Sequence, residues 1–155
     1  MSGLIEQYLS PHMVKVISEN LERDEEELRI QMEECLKYLI IMSERDGGFI
    51  PLTDEVDEVW HEMILQTYDY AKLCDSLPGH KFVHHRSMSF NDYQGIRSQS
   101  EIIDEFLGWI PPYVQKFGPF VPERARYWSI CQFLTERLGI TLDQINAAGA
   151  ARAAA

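Results

Sequence analysis

The chain has few of the features that mark membrane or secreted proteins. Its longest apolar run, Tyr38 to Met42, has five residues, whereas a helix that spans a bilayer needs about 18. The N-terminal stretch MSGLIEQYLSPH lacks a basic segment followed by an apolar core, so no signal peptide is predicted. We therefore expect no membrane insertion and a cytoplasmic location.

Cysteines and basic residues are also scarce. The three cysteines, Cys35, Cys74 and Cys131, are odd in number and widely spaced, which excludes a disulfide framework and suits a reducing compartment. The chain has 14 basic and 25 acidic residues, with a net charge of −11. Binding to nucleic-acid phosphates or to anionic lipid requires a basic surface, so neither is expected. The acidic surface would instead suit a basic protein partner.

The composition is that of a globular protein, and the apolar pattern is helical. The chain has 155 residues, of which 45% are hydrophobic and 25% are charged, as expected for one folded domain. Apolar residues recur every three or four positions along most of the chain, and no strand is predicted. The predicted fold is all-α: a single compact bundle of five to seven helices over residues 1–146, with one long loop after the helix that carries Trp60 and His61. The Ala-rich tail, residues 147–155, is predicted to be frayed or a remnant of cloning.

Local signals place several helix boundaries. Ser10-Pro11 has the residue types favoured at the N-cap and first position of a helix. A continuous helix is predicted from Asp54 to about Ser76, and the polar stretch from His80 to Ser100 is predicted to be the long loop. Pro111-Pro112 should break or kink the helix that starts near Ser100, because proline lacks an N–H and clashes with the preceding turn. Such a break would place Trp109 and Tyr113 on different sides of a kink.

One helix carries a cluster of residues that suit chemistry. Asp57 and His61 are four residues apart, so their side chains lie side by side on a helix. Trp60 faces the predicted core, and His61 lies at the edge of the buried stripe. The turn at Pro78-Gly79 would send the chain back, so we expect His61 to contact the loop that contains His84-His85.

Two interpretations of that contact remain open from the spacing alone. In the first, His61 binds zinc or a similar ion together with His84 or His85, with Asp57 or Cys74 as a further ligand. In the second, His61 hydrogen-bonds to Asp57 or to a loop carbonyl and holds the loop without any metal. No cofactor is expected under the second interpretation, and the first would require zinc or another transition metal.

The same region carries a family resemblance. The pattern D-x-x-W-H, then I-L-x-T-x-x-Y, C, G and H-H resembles the conserved helix and loop of the glycine-rich domain-containing protein family, whose members include compact bacterial proteins. The resemblance covers roughly residues 36–85 and includes Tyr38-Leu39 and Pro51. The matching residues of the motif are Val56, Asp57, Val59, Trp60, His61, Ile64, Leu65, Thr67, Tyr70, Cys74, Gly79, His84 and His85.

The resemblance implies an all-helical domain and says little about biochemistry. It also directs attention to a motif cluster made of Asp57, Trp60, His61, Tyr70, Cys74, His84 and His85. The sequence departs from the compact bacterial relatives at two positions. Met63 stands where they carry a second histidine, and Leu73 stands where they carry an aspartate before the cysteine.

An aromatic segment near the C-terminal end allows a different kind of site. Trp109, Tyr113, Phe117 and Phe120 lie close together in the sequence. They could form the second half of the core or line an exposed groove that binds a partner, because aromatic residues dominate binding hot spots.

Two classes of function are therefore predicted. The first is a non-enzymatic protein-interaction module, such as an inhibitor or immunity protein that covers a basic active site. The second is a metal-binding protein or metal-dependent enzyme that uses His61, His84 and His85. The sequence contains no G-x-S-x-G, P-loop, G-x-G-x-x-G or H-E-x-x-H motif, so no reaction is assigned, and neither the partner nor the oligomeric state is predicted.

Overall fold

The computed structural model describes residues 3–45, 50–85 and 98–154, and helices are the only extended regular elements in these ranges. The predicted all-α class is confirmed, with nine helices in the described ranges where five to seven were expected. Most of the predicted long loop, residues 86–97, lies outside the described residues. The helices in chain order are α1 (Leu4–Tyr8), α2 (Pro11–Leu21), α3 (Glu25–Met42), α4 (Asp54–Leu65), α5 (Thr67–Ser76), α6 (Gln99–Phe117), α7 (Pro122–Ala125), α8 (Ser129–Leu138) and α9 (Leu142–Ala154).

Side-chain caps begin the first long helices. Ser10 is the N-cap of α2, where its hydroxyl accepts a hydrogen bond from the Met13 N–H at 3.1 Å, and Pro11 occupies the first helical position. This confirms the predicted start, because proline loses no hydrogen bond there. Asp24 caps α3 in the same way by accepting from the Glu27 N–H at 3.1 Å.

The helices group into two compact units within the region predicted as one domain. The first unit contains α1 to α5 and the chain after α5 as far as His84. Its core is built on α3, whose apolar residues recur at intervals of three and four and so share one face. These residues are all buried: Leu28, Met32, Cys35, Leu36, Leu39 and Ile40.

The helix predicted to run continuously from Asp54 to Ser76 is interrupted, so that prediction is wrong. Gln66 adopts φ −87° and ψ 69°, outside the helical region, and separates α4 from α5. The interruption changes which side of the second segment faces inward. Thr67 and Ala71, which a continuous helix would place on the same face as Trp60, are exposed, whereas Tyr70 and Leu73 are buried.

The second unit contains residues 50–53 and helices α6 to α9. Its short extended segment pairs with the chain between α7 and α8. The Thr53 N–H donates to the Tyr127 carbonyl at 2.9 Å, and the Ser129 N–H donates to the Pro51 carbonyl at 2.8 Å. These bonds satisfy the backbone of a buried connector, as buried peptide groups require.

Helix α6 continues through Pro111 and Pro112, so the predicted break there is wrong. Each proline removes one amide donor, and the two carbonyls left without that donor belong to Leu107 and Gly108, four residues earlier. The α-helical backbone continues on both sides, and burial of the residues beside the prolines favours it over a break.

The aromatic segment forms the core of the second unit. The rings of Trp109 and Tyr113 both approach Trp128, with centroids 6.2 and 5.3 Å away, so both belong to one aromatic cluster. Phe120 stacks on Tyr113 at 3.7 Å. Because Trp109, Tyr113 and Phe120 are buried, the alternative of an exposed partner-binding groove is wrong for these three. Phe117 is half-buried and packs edge-on against Tyr113.

The Ala-rich segment is helical as far as Ala154 rather than frayed. It belongs to α9, which begins with a reciprocal cap between Thr141 and Gln144. Gly149 is buried so close to Val114 that a Cβ at residue 149 would lie 2.7 Å from a Val114 methyl carbon. Glycine at residue 149 therefore allows α9 to approach α6 closely. No described helix has both the length and the apolarity needed to cross a bilayer.

Candidate functional site

The segment after α5, residues 81–85, is here named the strap, and three motif residues anchor it. Within the buried core of the first unit, the Trp60 indole N–H donates to the Tyr70 hydroxyl at 3.0 Å. The Tyr70 hydroxyl donates in turn to the Val83 carbonyl at 2.5 Å. The Val83 N–H donates to the Cys74 sulfur at 3.5 Å. Both backbone groups of Val83 are thereby satisfied, which a buried strap residue needs.

The turn that leads into the strap depends on a close approach. The Gly79 N–H donates to the Ser43 hydroxyl at 3.1 Å. A Cβ at residue 79 would lie only 1.7 Å from the Ser43 carbonyl oxygen, so glycine is the residue that fits. Beyond the turn, the Lys81 ammonium donates to the Arg45 carbonyl. These contacts direct the chain back along α5.

Successive strap side chains alternate in direction. Val83 is buried, whereas Phe82 and His84 are exposed and their rings lie 4.8 Å apart. Side chains two residues apart share a side in an extended segment, and neighbours point to opposite sides. His84 therefore lies against Phe82, and His85 points to the other side.

The strap brings His85 to the exposed edge of α4. The Asp57 carboxylate oxygen lies 3.3 Å from His61 Nε2, and their side chains are 24% and 52% exposed. Asp57, His61 and His85 each offer one ligand atom, and these atoms all lie within 4.8 Å of one another. His85 is the residue bonded directly to His84, so the Val83 anchor lies only two residues away.

The cluster has the ligand types and spacing that a zinc ion uses. Imidazole nitrogen and carboxylate oxygen bind zinc at about 2.0–2.2 Å, which places tetrahedral ligand atoms roughly 3.3–3.5 Å from one another. Asp57 and His61 already have that separation. Closing the remaining separation takes a movement of at most about 1.5 Å, which rotation of exposed side chains supplies.

The other predicted ligands do not join this cluster. His84 packs on Phe82. The buried Cys74 sulfur accepts the hydrogen bond from the Val83 N–H of the strap. Burial raises the pKa of the Cys74 thiol, while the hydrogen bond from the Val83 N–H opposes that rise. The thiol therefore stays protonated near neutral pH, whereas a metal requires the thiolate.

The two positions that depart from the resembled family face the core. The Met63 sulfur lies 3.9 Å from the Cys35 sulfur, and Met63 is fully buried. Two residues along a helix correspond to a rotation of about 200°, so Met63 and His61 lie on opposite faces of α4. Leu73 is also buried. The apolar residues at these positions therefore remove no ligand from the Asp57, His61 and His85 cluster.

No family model matches the chain, and comparisons with curated proteins and with solved structures find no similar protein. The resemblance to the glycine-rich domain-containing family accordingly stays a prediction. The case for a function depends on the geometry of this chain.

Proposed function

We propose that this chain is a metal-binding helical protein that holds a divalent transition-metal ion, with zinc as the first choice, through Asp57, His61 and His85. The observation that carries the proposal is the approach of these three ligand atoms to within 4.8 Å. Two imidazoles and one carboxylate match the preference of zinc for nitrogen and oxygen ligands.

The number of ligands suggests an accessible ion. Three protein ligands leave a fourth tetrahedral position for water or for a group from a partner. His61 is 52% exposed, so the ion would exchange with solvent more readily than one in a closed four-ligand site. We propose a cytoplasmic setting, since all three cysteines are free and buried, as in a reducing compartment.

Zinc titration of the untagged full-length chain tests the proposal. The assay is competition with a chromophoric zinc indicator, together with elemental analysis of the purified protein. We expect one zinc per chain, with His85→Gln, His61→Gln and Asp57→Asn each weakening affinity by at least about tenfold, since even outer-shell changes cost that much. At a free zinc concentration of 100 times Kd, binding should stabilise the fold by about 2.7 kcal/mol.

His84→Gln is the matched control. It removes an imidazole from the residue beside His85, but that imidazole lies on Phe82, so zinc affinity should stay at the wild-type value. A wild-type chain that binds no zinc at micromolar concentrations would reject the proposal. Equal losses in His84→Gln and His85→Gln would also reject it, because they would show non-specific binding to surface histidines.

A protein-interaction module is the second candidate, and the acidic surface supports it. Exposed carboxylates begin two helices of the first unit, with Glu25 and Glu26 in α3 and Asp54 and Glu55 in α4. Because the aromatic segment is buried, the acidic surface is the main support for a protein-interaction module. Binding to a basic partner would weaken steeply as salt rises, since surface charge interactions are screened within about 8 Å at physiological ionic strength. Captured basic partners whose binding is insensitive to salt would argue against this candidate.

A further inference from the structure

The second unit contains an apolar groove that neither function uses. It has a volume of about 520 Å³ and is lined by α6, by α8 and by Ile140, which follows α8. Its described lining residues are Ile103, Phe106, Ile130, Phe133, Leu134, Arg137, Leu138 and Ile140. Small-molecule sites typically span about 300–1,000 Å³ and combine apolar walls with a few polar groups.

The spacing of residues along the two helices forms the groove walls. On α8, Ile130, Leu134 and Arg137 recur at intervals of four and three, so they share one face. On α6, Ile103 and Phe106 are three residues apart, so they also share one face, which lines the groove. The helical periodicity of these residues is visible in the sequence.

The groove exposes apolar surface at its edge. Ile103 is 46% exposed and Leu138 is 47% exposed, although large aliphatic side chains are usually buried. Covering this surface with a hydrocarbon chain would be favourable in proportion to the apolar area removed from water. The exposed apolar surface therefore favours an apolar ligand of any class.

Arg137 decides the class of ligand. It is the one charged residue among the described lining residues, and its exposed side chain makes no ion pair with another described residue. Guanidinium groups bind carboxylates through paired hydrogen bonds. The net charge of −11 repels anions at long range, but screening limits that repulsion to roughly 8 Å at physiological salt, so contact with Arg137 dominates.

We infer that the groove binds a single-chain amphiphile with a carboxylate head, of the fatty-acid class. The hydrocarbon chain lies against Phe106, Ile130 and Leu134, and the carboxylate pairs with Arg137 at the rim. The inference does not depend on metal binding, because the groove uses none of Asp57, His61 and His85.

Calorimetric titration of the full chain with dodecanoate, kept below its micellar concentration, tests the inference. Dodecanol is the uncharged comparison. We expect one dodecanoate per chain and weaker binding of dodecanol. Arg137→Gln should weaken dodecanoate binding roughly tenfold to a hundredfold, the range for a hydrogen bond to a charged group, and should leave dodecanol binding unchanged.

One variant in the groove is compared with two control variants outside it. Ile103→Glu places a carboxylate at the groove edge and should weaken dodecanoate binding, whereas Val121→Glu, at an apolar residue that is 41% exposed and does not line the groove, should not. Arg126→Gln removes an arginine that lies over the Tyr127 ring and should leave affinity unchanged.

Three results would overturn the inference. The first is a wild-type chain that gives no binding heat with dodecanoate. The second is equal dodecanoate affinity in wild type and Arg137→Gln. The third is a dimer in sedimentation experiments that Ile103→Glu dissociates, because the groove would then be covered by a second copy of the chain. Because Arg137 is exposed, Arg137→Gln should fold even if Ile103→Glu does not.

Discussion

Trp60 donates its indole N–H to the Tyr70 hydroxyl at 3.0 Å, and both side chains are buried in the first unit. This bond joins α4, which carries Asp57 and His61, to α5, from which the strap begins. Tyr70 also donates to the Val83 carbonyl, two residues before His85. The Trp60–Tyr70 pair therefore helps to position His85.

The first prediction concerns the size and the polar group of Trp60. Trp60→Ala should lower the free energy of unfolding by about 3–5 kcal/mol, because it leaves a large cavity in a fully buried site. Trp60→Phe keeps most of the apolar contact and loses the N–H, so its cost should be about 1–3 kcal/mol. Urea unfolding measures both. If Trp60→Ala unfolds at the wild-type midpoint, Trp60 is not a core residue.

The second prediction concerns Tyr70 as the anchor of the strap. Tyr70→Phe leaves the buried Val83 carbonyl and Trp60 N–H without their partner, which should cost about 1–3 kcal/mol. Hydrogen exchange of the Val83 amide should accelerate more than that of amides in α3. Zinc affinity should fall on the order of tenfold, as for other changes that position a ligand. Unchanged Val83 protection would show that the hydroxyl does not hold the strap.

The third prediction concerns the close approach at Gly79. Gly79→Ala would place a carbon 1.7 Å from the Ser43 carbonyl oxygen, so the turn must move, at a cost of about 1–3 kcal/mol or more. Gly118→Ala is the comparison, because nothing lies within 4 Å of a Cβ there and its φ of +89° is the source of strain. Thermal unfolding should rank Gly79→Ala as the less stable variant. The reverse order would mean that the turn adapts without cost.

The fourth prediction concerns alkaline pH. Burial raises the pKa values of Tyr38, Tyr70 and Cys35 above their ordinary values. The unfolded chain therefore loses these protons first, so their contribution to stability is complete below the ordinary pKa and declines as pH rises above it. We expect the decline to begin near pH 9 for the thiol and near pH 10 for the phenols, with a slope of about 1.4 kcal/mol per pH unit for each group.

Tyr38→Phe tests this decline directly. Urea unfolding between pH 8 and pH 11 gives the free energy of unfolding as a function of pH. Its decline with pH should be less steep in Tyr38→Phe than in wild type by about 1.4 kcal/mol per pH unit, the contribution of one ionising group. Tyr68→Phe, at a side chain that is 71% exposed, should keep the wild-type slope. A parallel pH dependence in wild type and Tyr38→Phe would show that the Tyr38 hydroxyl reaches solvent in the folded state.

The sequence by itself determined the elements whose causes are local. Ser10-Pro11 marks the start of α2 because capping uses a hydroxyl and an amide only three residues apart. The buried face of α3 follows from spacing by three and four, since helix periodicity alone decides which side chains share a face. The chemical types in the candidate metal cluster, two imidazoles and a carboxylate, were also visible in the sequence.

Only the tertiary structure decided which of those residues meet. The choice of His85 over His84 depends on the alternation of the strap, which is set by the bonds that Val83 makes with Tyr70 and Cys74. Val83 is 13 residues from Tyr70 and nine from Cys74 in the sequence. No local sequence pattern predicts contacts between residues so far apart. The break at Gln66 and the continuous helix through Pro111-Pro112 were likewise beyond local rules. Packing of buried side chains outweighs the local preference of a few residues, because burying one large side chain contributes about as much free energy as several such preferences combined.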